Sequence, residues 1–256
     1  MYRTLLGAAV ALAAAAAVPS VASAATLYQD GRQRVLLQDD SGETNLVSVG
    51  GSRRVVIHDA NLPIRLTRVR GCMRVDAWTV SCSRRARFIE LDLGDGPDVA
   101  AIATPRQVSI EGGNGPDRYI ALATDAPSRV DFDGEIGHDV ANYFYATAGV
   151  AVSVDLEAGD GRPGDDDRIR NAETVLGSQF DDVLEGGPFT QALSGLDGDD
   201  RITGGSGPEQ LSGGPGNDRI DARDGAADTV DCGGGLHDWA ALDVADVVTG
   251  CAEVTS

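Results

Sequence analysis

The chain has 256 residues and a formal net charge of −19, from 40 acidic and 21 basic side chains. The charge is unevenly placed: residues 1–87 hold 12 Arg and 6 Asp or Glu, a net of +6, and residues 88–256 hold 9 Arg and 34 acids, a net of −25. A body this acidic repels nucleic acid and anionic membranes and attracts cations, which sets nucleic acid aside as a partner.

The first element, residues 1–24, is an arginine near the start, an apolar run from Leu5 to Val18, Pro19 and the small residues Ala22-Ser23-Ala24. This is the pattern of a secretory signal peptide. The competing reading, a membrane anchor, is disfavoured because the run is short for a span. A secreted, extracellular chain with no membrane span is therefore expected.

Residues 25–87 carry short apolar or alternating runs, "RVLLQ", "TNLVSV", "RRVVIHDA" and "MRVDAWTVSC", broken by Gly, Asn and Asp. They predict a small, β-rich N-terminal head. Cys72 with Cys82 and Cys232 with Cys251 form two local pairs, and in an exported chain they read as two disulfides. A zinc site is the alternative, but neither spacing resembles C-x-x-C.

Residues 88–250 are repetitive. Written in nines, residues 177–221 give GSQFDDVLE, GGPFTQALS, GLDGDDRIT, GGSGPEQLS and GGPGNDRID without insertion. Position one is always Gly, and position eight is Leu184, Leu193, Ile202, Leu211 and Ile220. Position six is Asp182, Gln191, Asp200, Glu209 and Asp218. Six turn residues and three strand residues make half a flattened coil, so the expected fold is an all-β solenoid in which stacking supplies the core. With 18 residues to a full coil, Asp182, Asp200 and Asp218 fall on one edge, and Gln191 and Glu209 on the other.

Looser copies lie upstream, in "LGDGPDVAA", "GGNGPDRYI" and "GEIGHDVAN", with sixth residues Asp98, Asp117 and Asp139. Their unequal spacing leaves open whether they form a second ligand row. The acidic stretch "AGDGRPGDDDRIRN", residues 158–171, reads most simply as a solvated loop, with a separate cation site at Asp165 to Asp167 as the alternative.

"GGPGNDRID" matches G-G-x-G-x-D-x-U-x, where U is aliphatic, and on this motif the chain resembles the repeats-in-toxin, or hemolysin-type, calcium-binding family over roughly residues 91–241. The resemblance implies a secreted bacterial protein folded as a parallel β-roll. It also implies Ca²⁺ between turns of adjacent coils, on Asp182, Asp200 and Asp218, with turns at Gly195, Gly198, Gly213 and Gly216. Geometry favours the same ion. An ion midway between strands stacked about 4.8 Å apart lies about 2.4 Å from each, a calcium–oxygen rather than a magnesium–oxygen distance. The edge with Gln191 is expected to bind weakly or not at all.

No H-E-x-x-H, G-x-S-x-G or Walker loop occurs, and His58, His138 and His237 read as surface residues, as does the pair His58-Asp59. Family members often append these repeats to a protease, lipase or epimerase; the head, about 60 residues long, is small for such a domain. Many relatives also lack an N-terminal signal, unlike this chain. The expectation is a calcium-binding structural or adhesive module that is not an enzyme, with a glycan or a cell-surface protein as partner. The alternative is a calcium-dependent, carbohydrate-active parallel β-helix, a lyase or epimerase, using aromatics of "VANYFYAT", residues 140–147.

Overall fold

The computed structural model describes residues 25–29, 34–39, 42–66, 71–83, 85–124, 126–155 and 157–255; the expected signal peptide lies outside them. All regular structure among the described residues is β-strand, and no helix there is long and apolar enough to cross a membrane. Single apolar residues spaced between Gly, Asn and Asp provide no helical face, only positions that alternate inward and outward.

Seven strands form the N-terminal part: β1 (Thr26–Gln29), β2 (Arg34–Gln38), β3 (Leu46–Gly50), β4 (Val55–Asp59), β5 (Arg65–Leu66), β6 (Cys72–Arg74) and β7 (Thr79–Cys82). Five follow: β8 (Phe88–Asp92), β9 (Val99–Ala103), β10 (Gln107–Glu111), β11 (Arg118–Ala121) and β12 (Arg129–Asp133). Then come β13 (Val140–Asn142), β14 (Ala151–Ser153), β15 (Arg168–Arg170), β16 (Thr174–Leu176), β17 (Val183–Glu185), β18 (Ala192–Ser194) and β19 (Arg201–Thr203). The last are β20 (Gln210–Pro215), β21 (Arg219–Asp221), β22 (Thr229–Gly234), β23 (Trp239–Ala241), β24 (Val247–Thr249) and β25 (Glu253–Thr255).

A 12-stranded sheet runs β6-β7-β4-β3-β9-β11-β13-β16-β18-β20-β22-β24. A 7-stranded sheet runs β5-β1-β2-β8-β10-β12-β15, and a 6-stranded one β14-β17-β19-β21-β23-β25. From β8 onward every strand pairing is parallel, so each winding adds one strand to the long sheet and one to another, as in a β-helix or β-roll. The register pairs Leu184 with Ile202 and Ile202 with Ile220, and likewise Leu193 with Leu211. These are the stacked residues of position eight, and all are buried. Each gains roughly 1.5–3 kcal/mol by leaving water, but only once its neighbours are in place.

Residues 25–87 are continuous with this stack, because β2 pairs in parallel with β8 and β3 with β9. Antiparallel pairs β1–β2, β3–β4, β4–β7 and β6–β7 close that end. Cys72 is disulfide-bonded to Cys82, its partner in the β6–β7 register, and Cys232 to Cys251.

The winding order is broken once. β14 is laid down before β15 but stacks beyond it, joined through the parallel bridge between Val154 and Ile169. The intervening residues return the chain, and they correct the expected solvated loop: Asp160 and Asp167 are 5% and 0% exposed. Asp160 accepts the amide hydrogens of Ser153 at 2.8 Å and Ile169 at 3.0 Å, and Asp167 that of Val130 at 2.7 Å. Arg162 pairs with Asp165 at 2.9 Å. The segment replaces a regular winding, so its carboxylates take up amides that a regular winding would have satisfied.

Candidate functional site

In both the long sheet and the six-stranded sheet a polar residue stands immediately before nearly every strand, and stacking aligns these residues in two rows. Along the first, the backbone N–H of Asp98 donates to Asp117 Oδ1 at 2.9 Å, that of Asp117 to Asp139 Oδ1 at 2.8 Å, and that of Asp139 to Glu173 Oε2 at 2.7 Å. After Gln191 the pattern resumes: Glu209 N–H donates to Asp228 at 2.9 Å, and Asp228 N–H to Asp246 at 3.0 Å. Along the second row Asp182 N–H donates to Asp200 at 2.8 Å, Asp200 N–H to Asp218 at 2.9 Å, and Asp218 N–H to Asp238 at 2.9 Å. Each accepting carboxylate thus ties its winding to the preceding one with one oxygen; Glu209 instead accepts the N–H of Gly207 in its own turn at 3.0 Å.

The other oxygen is left over. Oδ2 of Asp98, Asp117, Asp139, Asp200, Asp218, Asp228 and Asp238, and Oε2 of Glu209, are buried without a hydrogen-bond partner. Such groups are costly. The charge responds: Asp98 is pushed up to about 8, Asp139, Asp200 and Glu209 to about 7, and Asp117 and Asp218 to about 6. Loss of hydration is the largest cause for each, the accepted N–H works against it, and nearby carboxylates add to it.

Asp182 differs. Ser178 replaces the second glycine of its unit, and its N–H and hydroxyl both donate to Asp182, while Val150 N–H donates to Oδ1 at 2.7 Å. Both oxygens are therefore satisfied, and the run of free oxygens on this row is Asp200, Asp218 and Asp238.

The glycines serve two purposes. Gly195 and Gly213, at position one, lack a left-handed backbone; a Cβ on either would fall on Oδ2 of Asp200 or Asp218, so their purpose is room for the carboxylate. At position two the backbone is left-handed in two of the five units, at Gly214 with φ 110° and at Leu196 with φ 80° despite its side chain; Ser178, Gly187 and Gly205 do not adopt it. Gly198 and Gly216, at position four, donate to the carbonyls of Pro215 at 3.0 Å and Gly234 at 3.2 Å.

Asp98, Asp117 and Asp139 do not form a separate row: they stand on the same edge as Gln191 and Glu209. Glu173 and Asp246 are ladder members that nonapeptide counting missed, and Asp228 and Asp238, which continue the repeat downstream with a slip in register, join the same ladders. The signal was present in the aliphatic residue two positions after each of them: Val175, Val230, Ala240 and Val248. The exposed Gln191 is the interruption. Among the described residues no three His, Cys, Asp or Glu side chains converge on one point as a compact metal centre; the carboxylates stand in single file.

His138 and His237 are exposed. His58 Nδ1 lies 2.9 Å from Thr79 Oγ1, and Asp59, expected at the surface, is buried because its Oδ1 accepts the N–H groups of Asn61, Leu62 and Leu46 at 2.9, 3.1 and 3.3 Å. In the aromatic segment the strand ends at Asn142 and Tyr143 turns inward, its hydroxyl 3.4 Å from Asp167 Oδ2. The chain matches no model of a known protein family and no curated protein.

Proposed function

We propose that this chain is an extracellular calcium-binding β-roll whose role is structural or adhesive, with Ca²⁺ completing the carboxylate rows. The observation that carries the reading is the series of buried, unpartnered carboxylate oxygens that recurs along both rows, where neighbouring carboxylates further disfavour the charge. All the available donors are oxygens, carboxylate and turn carbonyl, which suits a hard divalent ion. Asp200, Asp218 and Asp238 would hold it on one row, and Asp98, Asp117 and Asp139 on the other. The ion would supply the countercharge that protonation otherwise has to provide. Two disulfides and the absence of a membrane-spanning helix among the described residues are compatible with an extracellular setting. The partner would be a glycan or a cell-surface protein.

Titration calorimetry of the chain from Ala25 tests this, comparing Asp200→Asn with Gln191→Ala. The asparagine keeps an acceptor for Asp182 N–H but loses the charge. It is expected to weaken calcium binding at least tenfold, whereas Gln191→Ala leaves it unchanged. Equal effects, or no calcium heat with the parent chain, would refute the reading.

A further inference from the structure

One turn in the first row is three residues short. Residues 134–139 join β12 to β13, residues 186–191 join β17 to β18 and residues 204–209 join β19 to β20, six in each case. Only Asn171, Ala172 and Glu173 join β15 to β16, although Arg170 pairs with Asp133 and Thr174 with Val140, so three residues span the gap that six span in the winding before. Asn171 makes the turn in the left-handed conformation at φ 49°. The wall of stacked turns therefore carries a notch of about 410 Å³, lined by Glu135, Glu173, Gln191, Pro188, Phe189 and Pro208 among others.

The lining has a distinct chemistry. Two carboxylates face the notch and no basic side chain does, among the described residues. Glu173 is 9% exposed; one oxygen holds Asp139 N–H, and no hydrogen bond reaches the other. The lining also includes two prolines and Phe189, which is 70% exposed despite its size. A carboxylate with one oxygen not hydrogen-bonded and an aromatic side chain in the same notch suit an ammonium carried on a body with a C–H face: the carboxylate gives a charge-assisted hydrogen bond and the ring packs against the C–H face. The volume is that of a small-molecule site.

We infer that this notch binds a primary ammonium group carried on a body about the size of a monosaccharide, with Glu173 receiving the ammonium and Phe189 covering the ring or chain behind it. The site lies at the interruption in the row and uses none of the aspartates assigned to the ion, although Glu173 adjoins that row through the N–H of Asp139.

The test is ligand-observed NMR and calorimetry on the chain from Ala25 at pH 7 with calcium present. The probes are glucosamine and its neutral counterpart glucose. Glucosamine is expected to bind saturably and glucose not. Glu173→Gln, which keeps the acceptor for Asp139 N–H, should weaken glucosamine about tenfold or more. Phe189→Ala, at an exposed position that does not threaten the fold, should weaken it severalfold. Equal binding of both sugars, indifference to both substitutions, or displacement of glucosamine by added calcium would overturn the proposal.

Discussion

Gly195→Ala isolates the coupling between glycine and carboxylate on which the rows depend. The backbone at Gly195 is not left-handed, so alanine is conformationally acceptable and would by itself stabilise by about 0.4–1 kcal/mol. Space is the obstacle: the three atoms nearest an added Cβ all belong to Asp200, including its own Cβ at 2.9 Å. Moving that side chain breaks the 2.8 Å bond from Asp182 N–H and leaves a buried donor unpaired. That costs about 1–3 kcal/mol, so after the conformational gain the net expectation is a loss of about 1 kcal/mol. In an Asp200→Ala background the bond is already gone and the space is open, so the same substitution should be neutral or slightly stabilising. Urea unfolding of the four variants, with chelator present to separate the effect from metal, gives a coupling of about 2 kcal/mol if the account holds. Equal costs in the two backgrounds would show that Gly195 is required for some other reason.

At Leu196 the left-handed backbone predicts an order of stability: Leu196→Gly is neutral or stabilising, and Leu196→Val, β-branched at φ 80°, loses about 1–2 kcal/mol. Thermal melts check it, and valine matching glycine would contradict it. Asp98, Asp117, Asp139, Asp200, Glu209 and Asp218 have folded pKa values raised above their unfolded ones, so the native state binds more protons between about pH 4 and the raised values of about 6 to 8. Their contribution is complete below pH 4 and is lost as pH rises through those values. In chelator the midpoint of urea unfolding should therefore be higher at pH 5 than at pH 8; a rise in the opposite direction would be inconsistent with buried, unpaired carboxylates.

Strict repetition made the stack legible. A single aliphatic at position eight and glycine at position one predicted inward-facing residues 18 apart, and Leu184, Ile202 and Ile220 stack in that register. Both cysteine pairs followed from proximity. The meeting of the upstream aspartates with Glu173 was hidden by the 34-residue separation of Asp139 and Glu173, which includes the strand laid out of order. Asp182 looked equivalent to Asp200 because position six is identical, but the difference lies at position two, where Ser178 brings a hydroxyl. At Gly195 and Gly213 what requires glycine is the volume of a neighbouring carboxylate, which only three-dimensional packing reveals.

The central claim is that a cation neutralises the buried rows and so holds the windings together. Amide hydrogen exchange of the chain from Ala25, in millimolar calcium and in chelator, measures this winding by winding. The account predicts that chelation strongly lowers protection at the amides of Asp182, Asp200 and Asp218 and through β17, β19 and β21, with less change around Gln191. Protection that is the same in calcium and in chelator would contradict it.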